Sequence, residues 1–503
     1  MARAAVVLPK AKSHLLPEPA APTVTASGST DPKTTRPAAR FCTGDIMRHV
    51  MTMAGTGAIG LMAVFAVDLL NFFYISRLHD PNLTAAIAFT ASVSYVQIAV
   101  SIGMTIGLGA VIGRMLGARR FEDARRTASA FLVVMLGVAF LLGITTAVFA
   151  PLLLRLLGAQ GMALDHAVMF LRTVSPALPL ISFGMGLSAL LRAVGDAKQA
   201  MRVTLTGAII SATLDPLLIL VLHFGLEGAA ISTILARAAT TVSGLICLRR
   251  HDLLERPRLH AIPDATRQIG GVALPAIATN LATPVAGAYM TRAIARFGLD
   301  AVSGQAALDR IVPVAFALVF ALTGSVGPIM SQNLGAGQVD RVREALIAAL
   351  KITAACVGVT WAVLAAGEPL VVWLFNLHGA GIQIAHLFCR WTVSGYLFIG
   401  LLFVANTAFN NLGHPLYSTM FNWGRATLGT IPFVAVGLHF GPSGILIGFA
   451  LGATLFGSAA IVTAFHVIRT LPLRMMQQRP AAGSDLPTRT DAEAMMELQE
   501  EGA

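Results

Sequence analysis

Apolar stretches of about 20 residues or more succeed one another from residue 46 to residue 470, each long enough to cross the hydrocarbon core of a bilayer. The alternating ten-residue segments of a membrane barrel are absent, so the pattern predicts an all-α polytopic membrane protein. With 55% hydrophobic residues, 12% charged residues and a mean hydropathy of +0.73, the composition agrees. The stretches divide into twelve transmembrane helices expected at 46–76, 82–113, 127–156, 164–191, 199–223, 226–248, 268–297, 302–330, 344–376, 384–411, 415–439 and 443–468.

The chain also repeats itself. Leu222-His223-Phe224-Gly225 with Gly228 returns as Leu438-His439-Phe440-Gly441 with Gly444, a spacing of 216 (439 minus 223), and Leu116-Gly117-Ala118 returns as Leu334-Gly335-Ala336 at a spacing of 218 (335 minus 117). An even number of helices per repeat gives both halves the same orientation. Two six-helix lobes are therefore expected, related by a pseudo-twofold axis along the membrane normal, with a cavity between them. The expected boundaries are a disordered cytoplasmic tail at 1–44, lobes at 45–250 and 267–472, a cytoplasmic linker at 251–266 and a second tail at 473–503. Such a frame suits alternating access, although channels and membrane enzymes are also built by duplication.

The net charge of +11 does not form a nucleic-acid patch, because the basic residues fall in alternate loops. Arg114, Arg119, Arg120, Arg125 and Arg126 follow the second expected helix, Arg192, Lys198 and Arg202 the fourth, and Arg249, Arg250, Arg256 and Arg258 the sixth. The positive-inside rule makes those loops cytoplasmic and, with an even helix count, both termini too. Residues 1–44 lack an apolar run of signal-peptide length; a transit peptide is the other reading. Cys42, Cys247, Cys356 and Cys389 have no CxxC spacing, so neither a disulfide framework nor a metal site is expected, and no P-loop is present. The expected partners are a small molecule and membrane lipid, with no nucleic acid and no cofactor.

Acidic residues inside apolar helices cost roughly 2.5 to 3.5 kcal/mol each and so ask for a reason. Asp68 and Asp215 both lie eight or nine residues before the outer ends of the first and fifth expected helices, or roughly 12 to 14 Å deep. Thr233 reaches the same level from the sixth, and Ser211 stands one turn from Asp215. Carboxylates and hydroxyls converging at one depth can ligate Na+ at Asp215, Asp68 and Thr233, or share a proton, since burial and like charge favour protonation. The alternative is that each Asp bonds a backbone group beside a kink, which Pro216 supplies next to Asp215. The second half has no matching acids: Ile431 precedes Pro432 where Asp215 precedes Pro216. Tyr95, Gln97, Asp309 and Arg310 are further candidates for lining a cavity, or for interhelical hydrogen bonds and ion pairs.

Several stretches together carry a resemblance. Val67-Asp68-Leu69-Leu70-Asn71-Phe72-Phe73, Leu116-Gly117-Ala118-Arg119-Arg120, Leu191-Arg192-Ala193-Val194-Gly195-Asp196, Leu214-Asp215-Pro216-Leu217-Leu218, Gly228-Ala229-Ala230-Ile231-Ser232-Thr233 and Gln332-Asn333-Leu334-Gly335-Ala336-Gly337 occur in order across residues 46 to 470. The chain resembles the multidrug and toxic compound extrusion (MATE) transporters, and within them the DinF-like branch. That resemblance implies a monomeric twelve-helix antiporter of the cell inner membrane, exporting cationic or lipophilic drugs and toxic compounds in exchange for H+ or Na+. It also implies a coupling site in the first lobe, carried over to Asp215, Asp68 and Thr233. Anchoring on Phe72-Phe73 instead would put Asn71 at the first-helix acid position, so both stay candidates. Ser211 stands where the family often has Asn, and the Pro common early in the first helix is missing around Met53, Gly55, Thr56 and Gly57. The rival readings are a flippase for lipid-linked saccharide, which would expose a basic cavity; a membrane enzyme, for which no HExxH is present; and a channel.

Overall fold

Prolines and glycines decide where the apolar helices of this chain break. The computed structural model describes residues 39–76 and 81–478. Seventeen α-helices follow in order: α1 Ile46–Ser76, α2 Pro81–Gly117, α3 Phe121–Leu156, α4 Gly161–Val174, α5 Leu178–Ala193, α6 Ala197–Pro216, α7 Gly225–Arg249, α8 Ile262–Ile294, α9 Leu299–Ala315, α10 Ala317–Gly335, α11 Val339–Ala366, α12 Glu368–Leu374, α13 Ala380–Arg390, α14 Tyr396–Asn411, α15 Pro415–Gly424, α16 Ile431–Gly437 and α17 Gly441–Gln478. Among the described residues, ten runs are long and apolar enough to cross a membrane, or eleven when the bent pair α9 and α10 is taken as one. The protein is all-α and polytopic.

Two departures separate this count from the expected twelve. The expected eighth span is bent by 45° between α9 and α10. Pro313 has no N–H for the carbonyl of Asp309, and three residues later Phe316 leaves helical geometry at φ −108° and ψ 20°. The expected eleventh and twelfth spans form one apolar run, Pro415–Leu471, of 57 residues. That run turns back at Gly441, whose φ of 79° suits glycine. Beyond the turn, Gly444 packs on the carbonyl of Gly437, Gly448 on that of Phe433 and Gly452 on that of Gly429. The numbers rise on one side as they fall on the other, so the two arms lie antiparallel, and a Cβ at any of the three would meet backbone.

Small residues also join the two repeats. Gly117 at the end of α2 packs on the carbonyl of Gln332, and Gly335 at the end of α10 packs on the carbonyl of Arg114. Each glycine thus meets the backbone three residues before the other, and the contact is unchanged when the copies are exchanged. Close backbone approach through glycine is the usual way membrane helices gain van der Waals contact. Buried apolar side chains gather in clusters within and across the halves: one joins Phe316, Phe388 and Ile445 of the second half, another Leu108, Phe131 and Leu190 with Ile269 of α8, and a third Ile46 and Val50 of α1 with Ile329 and Phe409. Leu141, Val148 and Leu152 on α3 and Val359 and Val363 on α11 are exposed, as lipid-facing side chains are.

Most of the two expected tails lies outside the described residues, but their inner ends do not. Arg40–Cys42 form a 3-10 turn with Phe41 buried. Gln332 accepts from Phe41 N–H at 3.0 Å and donates to the Ala193 carbonyl at 2.6 Å, while Arg341 donates to the carbonyls of Phe41 and Gly44 at 3.0 and 2.9 Å. Residues 40–44 are thereby docked on the end of α10 and the start of α11, and α17 runs on to Gln478. The expected linker is docked as well: Arg125 pairs with Asp252 and Glu255, His251 with Asp196, and α8 starts at Ile262.

Candidate functional site

Helix register brings four polar side chains to one point in the first half. Gly60 on α1 packs beside Thr204 on α6, and eleven residues further along both helices Asn71 meets Asp215. The two helices therefore run parallel and in step. On the other flank, α6 and α7 run antiparallel: Thr206 Oγ1 lies 3.3 Å from Ser243 Oγ, Gly207 packs on Thr240, and Gly228 packs on Leu218. The same register sets Ser232 opposite Asp215.

Asp215 is fully buried at 0% exposure. Its Oδ2 accepts from Ser211 Oγ at 3.0 Å and from Asn71 Nδ2 at 3.4 Å. Its Oδ1 and the facing Ser232 Oγ are both buried; neither makes a hydrogen bond of regular geometry among the described residues, although Ser232 lies close enough to the carboxylate to interact with it. Pro216 closes α6, and the chain continues as a π-helical turn, Leu217–Val221, in which Leu222 N–H donates to the Leu217 carbonyl at 2.8 Å. Such turns widen a helix locally and recur at functional sites. Asp68 is exposed and lies one turn before Asn71, close enough to Asp215 for the two carboxylates to repel.

Thr233 points elsewhere, donating to the Ala229 carbonyl of its own helix at 2.8 Å. Depth alone cannot separate Ser232 from Thr233, which differ by one residue and about 100° around the helix; the pairing register of α6 and α7 can. Gln97 is buried and donates to Ser175 Oγ at 3.0 Å, tying α2 to the break between α4 and α5. Tyr95, two positions earlier on the opposite side of α2, is exposed and reaches toward Thr283 and Arg425 of the second half. Asp309 is exposed and accepts from Gln305 Nε2 at 2.9 Å; Arg310 is exposed too.

Asp309 lines a cavity of about 200 Å³ between helices of the second half, together with Thr283, Tyr396, Arg425 and Phe449. Arg425 and Tyr396 escaped the sequence reading. Arg425 is the only Asp, Glu, Lys or Arg between Arg390 and Arg469, and a lone charge in an apolar run was the signal. Among the described residues, no group of three or more His, Cys, Asp or Glu side chains could hold a metal ion.

The family model MatE matches this chain twice, over residues 58–217 and 275–436. The chain belongs to the MatE family. The two matches start 217 residues apart (275 minus 58), in step with the repeats found within the chain. This MatE chain is 28% identical to the FAD transporter of Shewanella oneidensis, over 84% of its own length and 95% of that protein's. It is 22% identical to the multidrug export protein MepA of Staphylococcus haemolyticus, over 85% and 95%. Among solved structures, its fold resembles a mutant form of the Vibrio cholerae MATE transporter VcmN, with a TM-score of 0.81, 22% identity and coverage of 84% and 97%. A MOP superfamily transporter from Pyrococcus furiosus gives a TM-score of 0.80 at 22% identity, with coverage of 88% and 99%. Membership of that family makes the protein a secondary transporter rather than an enzyme.

Proposed function

We propose that the chain is an H+- or Na+-coupled antiporter of the bacterial inner membrane whose coupling ion is taken up at Asp215. The observation that carries this reading is the buried Asp215 carboxylate, without a cationic partner among the described residues, whose Oδ1 faces Ser232 Oγ across α6 and α7 without a well-formed hydrogen bond. A proton on Oδ1 turns that oxygen into a donor for Ser232; a Na+ between the two oxygens satisfies both, with Asn71 and Ser211 holding Oδ2 in place. Either form removes a buried negative charge that has no cationic partner close by among the described residues. Asp68, at the exposed edge, admits the ion and repels the second carboxylate until one of them is neutralised.

Twelve spans in two six-helix lobes complete the reading, because the Pro415–Leu471 run folds back at Gly441 and counts as two. The lobes 45–250 and 267–472 then rock about the reciprocal contact of Gly117 and Gly335. The loops rich in Arg favour the cytoplasmic side for that contact and for both termini. The acids of the first lobe favour the DinF-like branch, and the chain works as a monomer surrounded by lipid. One charge crossing 100 mV supplies about 2.3 kcal/mol, enough for nearly a fifty-fold gradient of neutral cargo at about 1.4 kcal/mol per tenfold. Cationic and lipophilic drugs are the first cargo reading, in keeping with the multidrug export name of one relative; the FAD transporter name of another widens it to anionic compounds. Proteoliposome uptake of ethidium and of carboxyfluorescein under imposed pH or Na+ gradients tests the proposal. Accumulation that follows one of the two gradients is expected, and accumulation under neither would sink it.

A further inference from the structure

The cavity of the second half carries more unmet polar capacity than packing requires. Arg425 lines it at 6% exposure. Helix α15 ends at Gly424, and the π-helical turn Arg425–Gly429 that follows is closed by Thr430 Oγ1 on the Arg425 carbonyl at 2.9 Å. The guanidinium carbon lies 6.0 Å from the centroid of the Phe449 ring, and its Nε is buried without a hydrogen-bond partner among the described residues. Gln305 Oε1 and Thr392 Oγ1, which line the same cavity, are also buried and unpartnered. One donor, one acceptor and one hydroxyl are thus buried without partners on side chains that line a single space. A guanidinium held away from water inside a membrane is costly unless an anion or strong acceptors meet it.

We propose that this cavity is an anion subsite for cargo, in which Arg425 receives the carboxylate or phosphoryl group of an organic compound. Asp309 and Gln305 take a donor on the same compound, 2.9 Å being the bond that already holds them together. This inference rests on the transport reading and adds to it the class of substrate. A planar guanidinium matches the two oxygens of a carboxylate or phosphate, which a point charge does not. The cavity, at about 200 Å³, is smaller than a typical drug pocket and holds the charged head of the cargo. The remainder extends toward Tyr95 of α2, which already faces Arg425.

The test measures binding of carboxyfluorescein and of ethidium to the detergent-purified full chain by fluorescence anisotropy. Arg425→Gln should lower the ratio of carboxyfluorescein to ethidium affinity by about tenfold or more, and Arg425→Lys by less, since a charged hydrogen bond at a buried site is lost or weakened. An unchanged ratio in Arg425→Gln would overturn the proposal. So would recovery of the ratio in Arg425→Gln/Asp309→Asn, which would reduce Arg425 to neutralising Asp309. Displacement of the dye by glycerol phosphate supports the subsite with soluble cargo as the source of the anion, and displacement by phosphatidylglycerol alone supports it with a lipid headgroup. Carboxyfluorescein binding that depends on Arg425 in a protein that accumulates neither carboxyfluorescein nor ethidium under either gradient would strike the coupling proposal and leave the subsite standing.

Discussion

Ser232, rather than Thr233, faces Asp215, and the difference can be measured. Removing the Ser232 hydroxyl leaves Asp215 Oδ1 with no polar neighbour across α7, whereas Thr233 spends its hydroxyl on the Ala229 carbonyl. Ser232→Ala is expected to raise the ion concentration for half-maximal uptake about tenfold, the effect of about 1.4 kcal/mol, and Thr233→Ala to change it by less than about twofold. Equal effects would place the ion elsewhere. Gln332 offers a second test at this scale. It is fully buried, accepting from Phe41 and donating to Ala193. Gln332→Ala strands both partners at about 1 to 3 kcal/mol each, so thermal unfolding in detergent should shift to lower temperature. Asp68 and Asp215 were legible as sequence because a carboxylate in an apolar helix stands out. Ser232 was not, because a serine in a membrane helix is ordinary until the register of its neighbour is known.

Breaks within the spans were harder to read than the spans themselves. The first six expected helices each fall on one apolar run, since length and hydropathy report thickness directly. The 45° bend at Phe316 was not legible, because a proline such as Pro313 can be absorbed by neighbouring helices as well as kink its own helix. A kink beside Asp215 was legible from Pro216, but its form, a π-helical turn over Leu217–Val221, was not. The reciprocal contact of Gly117 and Gly335 makes a prediction at this scale. A methyl group at either position would meet a backbone carbonyl of the other repeat, so Gly117→Ala or Gly335→Ala should hold the ends of α2 and α10 apart. Maleimide labelling of Ser331→Cys, fully buried beside Gly113 in the closed contact, should rise in both variants. The double variant should show much less than the sum, because one interface is lost either way. Full additivity would mean that the two glycines act at separate places.

For the whole molecule, duplication was the readable part and asymmetry the informative one. Both repeats match the family model, yet the first carries the buried Asp215 and the second the buried Arg425. On the two proposals above, the ion is held on one side and the charged end of a cargo on the other; the second half's own buried carboxylate, Glu368, is paired with Arg390. The account stands or falls on the first of these. In proteoliposomes with an imposed gradient of the coupling ion, Asp215→Asn should abolish dye accumulation while the purified variant still binds the dye, since the amide keeps the shape of the site and loses its charge. Accumulation by Asp215→Asn at the rate of the unaltered chain would refute ion coupling at this carboxylate.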